Sequence, residues 1–139
     1  MKNNREEIDF KDLFEQAAEA GKKSYSPYSR FPVGAALLME DGEVVTGCNV
    51  ENRSFGLTNC AERTAVFSAV ARGYKSFRAA AIAASEADYP VGPCGACRQV
   101  LTEFAPPDTP VIFGPSYEKA VIRTLGELYP FDSLHELGK

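Results

Sequence analysis

The chain has 139 residues, of which 45% are hydrophobic and 24% charged, and its 15 Lys+Arg against 19 Asp+Glu give a net charge of −4. That is the length of one domain with the balance of a folded globule, which excludes a disordered chain and removes any need for disulfide staples on grounds of size. The acidic balance excludes a broad positive field for tracking a nucleic-acid backbone, and no apolar run approaches the ~20 residues of a membrane span.

A single domain over residues 1–139 is therefore expected, with neither nucleic acid nor membrane as partner. Residues 1–7 are polar and lack the apolar stretch of a signal peptide, so the expected compartment is the cytoplasm. Thiols stay reduced there, and four cysteines read first as metal ligands, catalytic groups or core residues.

In chain order, Phe10, Leu13, Phe14, Ala17, Ala18 and Gly21 fall at helical spacing behind Asp9, a plausible N-cap. That helix should stop before Pro27, and residues 25–30 read as a loop. Residues 33–39 form an apolar strand pattern, Asp41-Gly42 a turn, and residues 44–50 a returning strand. Residues 61–71 read as a helix ended by Gly73, apolar or small around most of its circumference and so expected to be buried on most faces. Residues 77–85 are rich in alanine; periodicity leaves helix or strand open, and the short run favours a buried strand. A turn at residues 93–96 is followed by a short helix at 97–104 that Pro106-Pro107 stops, then by strands at 110–113 and 119–123. Thr124 to Glu127 has capping-box form for a last helical turn. The order α-β-β-α-β-α-β-β-α predicts an α/β fold with one mixed sheet covered on both faces.

The chemistry lies in Cys60-Ala61-Glu62 and Pro93-Cys94-Gly95-Ala96-Cys97. Three soft sulfur ligands, Cys60, Cys94 and Cys97, suit one tetrahedral Zn²⁺ per subunit and leave a fourth position for water, which marks catalytic rather than structural zinc. Cys60 and Cys97 are each expected at the start of a helix, where backbone N–H groups favour thiolates. Three thiolates outweigh the charge of the ion, and Arg63 is expected to offset this by hydrogen bonding to the sulfurs, with Arg98 a second candidate. Glu62, two residues from Cys60, is placed to move protons between the activated water, a ring nitrogen and a leaving amine without ligating the metal. The combined pattern is the zinc deaminase signature, His/Cys-x-Glu followed by Pro-Cys-x-x-Cys. The plainer readings of the same residues are a structural zinc site or a redox-active Cys-x-x-Cys pair. Cys48 reads as a core thiol and His135 as a solvated tail residue.

Four segments carry a closer likeness: Ser26-Pro27-Tyr28-Ser29-Arg30-Phe31-Pro32-Val33-Gly34-Ala35, Gly47-Cys48-Asn49-Val50-Glu51-Asn52, Asn59-Cys60-Ala61-Glu62-Arg63, and Pro93-Cys94-Gly95-Ala96-Cys97-Arg98-Gln99. Over about residues 10–130 the chain resembles the small, homotetrameric class of cytidine deaminases. The resemblance implies a three-layer α/β/α sandwich with a five-stranded mixed sheet. It also implies a homotetramer whose active sites sit at subunit interfaces. By the same likeness Phe31 packs on the pyrimidine ring, Asn49 and Glu51 bind the ribose with the glutamate meeting the 3′-hydroxyl, and the Ala61 N–H contacts the base O2. The C-terminus departs from the family pattern of Leu-Leu-Pro with a phenylalanine a few residues later. Here Phe131 follows Pro130 directly, so the lid over a neighbour's pocket is expected to be shorter or built by Tyr129.

The expected activity is hydrolytic deamination of cytidine and 2′-deoxycytidine to uridine and 2′-deoxyuridine with release of ammonia, a step of pyrimidine salvage, with Glu62 as proton carrier. The rivals are a deaminase of another aminopyrimidine nucleoside, of the blasticidin-S type, a nucleic-acid base editor, and a zinc-stabilised binding module.

Overall fold

The structure, a computed structural model, describes residues 8–134 and residue 137. Helix α1 spans Phe10–Gly21, and the Asp9 side chain caps it by accepting from the Asp12 N–H at 3.0 Å. Strands β1, Gly34–Met39, and β2, Val44–Cys48, form the hairpin, and Gly42 takes φ +91° at its tip, a conformation that favours glycine. Helix α2 spans Ala61–Ala71. It closes with Gly73 at φ +97°, the Gly73 N–H donating to the Val70 carbonyl and the Tyr74 N–H to the Ala69 carbonyl, the paired closure of a Schellman cap. Strand β3, Phe77–Ala83, helix α3, Gly95–Glu103, strands β4, Pro110–Gly114, and β5, Val121–Thr124, and helix α4, Leu125–Leu128, complete the order expected from the sequence. The Thr124–Glu127 capping box is present in full. A short 3-10 turn at Phe55–Leu57 is additional.

The five strands lie in the order β2-β1-β3-β4-β5, antiparallel except for the parallel β3–β4 pair, which makes the expected mixed sheet. Alternation along β3 divides the core. Ala79, Ala81 and Ala83 face Leu13, Phe14 and Ala17 of α1, while Ala80 and Ile82 join the cluster that holds Ala65, Val66 and Leu101 of α2 and α3. Small residues on both faces let the helices approach closely. Among the described residues, no helix is long and apolar enough to cross a membrane.

Two expectations need correction. Helix α2 is not buried on most faces: Phe67 is 51% and Val70 44% exposed, because among the described residues no layer lies beyond α2. Helix α3 begins two residues earlier than expected, with Cys94 rather than Cys97 at its start. His135 lies outside the described residues.

Gly47 sets the height of α2 above the sheet. A Cβ there would lie 2.5 Å from the Ala65 nitrogen and 2.8 Å from the Ala61 carbonyl oxygen, both backbone atoms that yield only if α2 moves. Gly47→Ala should destabilise the fold by about 1–3 kcal/mol, the usual scale of overpacking. A lower urea midpoint with an unchanged slope is the expected result.

Candidate active site

Cys60 is the N-cap of α2 and Cys94 the N-cap of α3, and neither side chain is used in capping. Both thiols are therefore free to turn into the space between the two helix starts. Cys97, one turn into α3 and fully buried, completes the group. The three Sγ atoms lie within 4.8 Å of one another, with Cys60 and Cys94 3.9 Å apart. A tetrahedron of zinc–sulfur bonds of about 2.3 Å separates its sulfurs by about 3.8 Å, so both the spacing and the soft donor set fit zinc. All four cysteines are free thiols.

Local charge favours a thiolate before any metal arrives. The Cys97 thiol and the Arg63 guanidinium both donate to Cys60, and its pKa is held down to about 5 against the opposing effect of burial. The same bond to Cys60, together with burial, pushes the Cys97 thiol up. Arg63 Nη2 lies 3.2 Å from Cys60 Sγ, and its bonds to Cys60 and Cys97 raise its own pKa. Arg98 bonds to backbone carbonyls rather than to the sulfurs. It braces the loop before α3, donating from Nε to the Pro93 carbonyl at 2.6 Å and from Nη1 to the Leu128 carbonyl at 2.7 Å.

A cavity of ≈ 400 Å³ opens beside the sulfurs, lined by Phe31, Asn49, Glu51, Ala61, Glu62 and Cys94 among others. Its size falls within the usual range of about 300–1,000 Å³ for small-molecule sites. Glu62, the second residue of α2, is only 6% exposed, and burial pushes its pKa up to about 7. Ala61 is the first residue of α2, so its N–H is one of the helix's donors that lack an intrahelical acceptor.

Asn49 and Glu51 line the same cavity, and their side chains also brace the backbone around it. Asn49 is 8% exposed; its Oδ1 accepts from Ser24 Oγ at 2.5 Å and from the Val33 N–H at 2.9 Å, and its Nδ2 donates to the Phe31 carbonyl at 2.9 Å. Those bonds fill both lone pairs of Oδ1 and use one of two amide hydrogens, which leaves one donor. The Glu51 Oε1 accepts from the Tyr28 and Ser29 N–H groups at 2.9 and 3.1 Å, and Oε2 accepts from Ser29 Oγ. Its carboxyl is held below the usual range, first by the Ser29 hydroxyl and then by the backbone donors. Three of about four acceptor sites are occupied, which leaves one.

The two C-terminal aromatics lie elsewhere. The Tyr129 hydroxyl donates to Gln99 Oε1 at 2.6 Å, and its ring lines a separate cavity of ≈ 360 Å³ with Thr102, Pro107 and Leu125. Phe131 is fully exposed, at φ +57°.

Residues 8–113 match the family model described as the cytidine and deoxycytidylate deaminase zinc-binding region. The chain is 50% identical over 123 residues to a cytidine deaminase of Halalkalibacterium halodurans, covering 88% of this chain and 92% of that protein. It superimposes on the crystal structure of cytidine deaminase from Burkholderia pseudomallei with a TM-score of 0.85 and 47% identity, covering 89% of this chain and 98% of that one. A blasticidin-S deaminase of Bacillus cereus is 32% identical over 102 residues, covering 68% of this chain and 72% of that protein.

Proposed function

The chain belongs to the cytidine deaminase family, and we propose that its cavity hydrolyses cytidine and 2′-deoxycytidine to uridine and 2′-deoxyuridine, water adding at C4 and ammonia leaving. The observation that carries this reading is the convergence of three sulfurs beside a buried carboxylate, in a cavity whose Asn49 and Glu51 keep one donor and one acceptor between them. Held by Cys60, Cys94 and Cys97, zinc supplies the Lewis acidity that makes water nucleophilic near neutral pH. Glu62 accepts a proton from the attacking water, places it on ring N3, and then carries the proton of the new C4 hydroxyl to the departing amine. Arg63 offsets the negative charge of the thiolates. Phe31 packs against the pyrimidine, the Ala61 N–H donates to the base O2, and Asn49 and Glu51 receive the sugar, the carboxylate meeting the 3′-hydroxyl. A buried site excludes bulk water, which strengthens each of these interactions.

The working enzyme is a homotetramer whose neighbouring subunits close each pocket. Exposed apolar side chains support this: Tyr25, Tyr28, Phe55 and Leu57 between α1 and α2, Phe67 and Val70 on α2, and Phe131 beyond α4. The ligating thiols must stay reduced, which suits the cytoplasm.

One purified preparation tests the whole reading. It should contain about one zinc per chain, sediment as a tetramer, and turn over cytidine and 2′-deoxycytidine in an absorbance assay. The likeness to a blasticidin-S deaminase makes that antibiotic the informative second substrate. Turnover of blasticidin S with none of cytidine would overturn the substrate assignment.

A further inference from the structure

We propose that Ser29 is a positioning residue that presents the one free acceptor site of Glu51 to a single sugar hydroxyl. The inference rests on the reading of Glu51 as a sugar-binding group. Ser29 touches the carboxylate twice, through its N–H to Oε1 at 3.1 Å and through its hydroxyl to Oε2. The same Oγ accepts from the Phe31 N–H at 3.1 Å. Between them Arg30 sits at φ +56°, a region a non-glycine residue enters only when its surroundings hold it there. One hydroxyl thus ties the carboxylate to the residue that faces the base. Both Oε1 lone pairs are used by backbone donors, and Ser29 Oγ takes one of the two on Oε2. A carboxylate clamped in this way has one direction left for a ligand and cannot bridge both hydroxyls of a ribose.

Without the Ser29 hydroxyl, Oε2 has two open sites and loses the donor that fixes its torsion. The test measures kcat/KM for cytidine, 2′-deoxycytidine and 3′-deoxycytidine with the wild type, Ser29→Ala, Ser29→Thr and Glu51→Gln. Glu51→Gln should depress cytidine and 2′-deoxycytidine, which carry the 3′-hydroxyl, and spare 3′-deoxycytidine, which lacks it. Ser29→Ala should lower kcat/KM about 10-fold, mainly through KM, on those same nucleosides, the scale of one lost hydrogen bond to a charged group. It should change the nucleoside lacking that hydroxyl less than about 2-fold, and Ser29→Thr should restore the wild-type pattern. A selective Glu51→Gln with a Ser29→Ala that is flat, or that lowers all three nucleosides equally, overturns the proposal alone. Equal losses on all three with Glu51→Gln overturn the sugar-binding reading, and the proposal falls with it.

Discussion

Glu62→Gln should keep its zinc and its fold while losing turnover by about 10⁴-fold or more. A single positioned acid–base group contributes about 10²–10⁴ to a rate, and in the proposed reaction one carboxylate serves the attacking water, ring N3 and the leaving amine in turn. Glutamine preserves the volume and the position at the second residue of α2, where the side chain is 6% exposed, but it exchanges no proton. The three sulfurs come from the N-caps of α2 and α3 and from the first turn of α3, so none depends on the charge of Glu62 to reach its place. Metal analysis should therefore read the same for variant and wild type, and urea unfolding should show no loss of stability, since an amide is easier to bury than a carboxylate. If Glu62→Gln retains activity within about tenfold, the proton-carrier role is wrong and another group must move the protons.

The parts of the molecule legible in the sequence were those fixed by contacts within a few residues. Helix α1 announced itself through a one-sided apolar pattern behind Asp9, and α4 through the Thr124–Glu127 capping box. The start of α3 was hidden because Cys94 caps it with no side-chain hydrogen bond, and Gly95-Ala96 then resembles a turn. The exposure of Phe67 and Val70 was equally hidden, since composition along one helix does not say how many layers surround it. At the site, the convergence of Cys60, Cys94 and Cys97 was legible because zinc chemistry demands particular atoms at particular spacings, and Glu62 lines the cavity beside them. Arg63 beside Cys60 followed from adjacency, one turn along the same helix. Arg98 did not, because its direction is set by the carbonyls of Pro93 and Leu128, the second 30 residues away in the chain. The bonds of Asn49 to Phe31 and Val33, and of Glu51 to Tyr28 and Ser29, were illegible for the same reason: they depend on β2 returning beside the loop that precedes β1.

Removal of one sulfur should separate metal loss from unfolding, because the three cysteines are buried to different degrees. Cys94 is exposed, so Cys94→Ala deletes a ligand and leaves no hole in the core. Cys97 is fully buried, and Cys97→Ala deletes a ligand and opens a cavity as well. Both variants should purify with near-zero zinc and with deamination at background, since two sulfurs and water hold the ion far more weakly than three. Cys97→Ala should be the less stable of the two by about 1–2 kcal/mol, the scale of a small core truncation. Wild-type protein stripped by a chelator should match Cys94→Ala in both activity and urea midpoint, because binding at the site is coupled to folding. Zinc added back should restore the stripped wild type and leave Cys94→Ala inactive. Full activity in either the stripped wild type or Cys94→Ala would remove the metal from the reaction, and Glu62 would then have no activated water to serve.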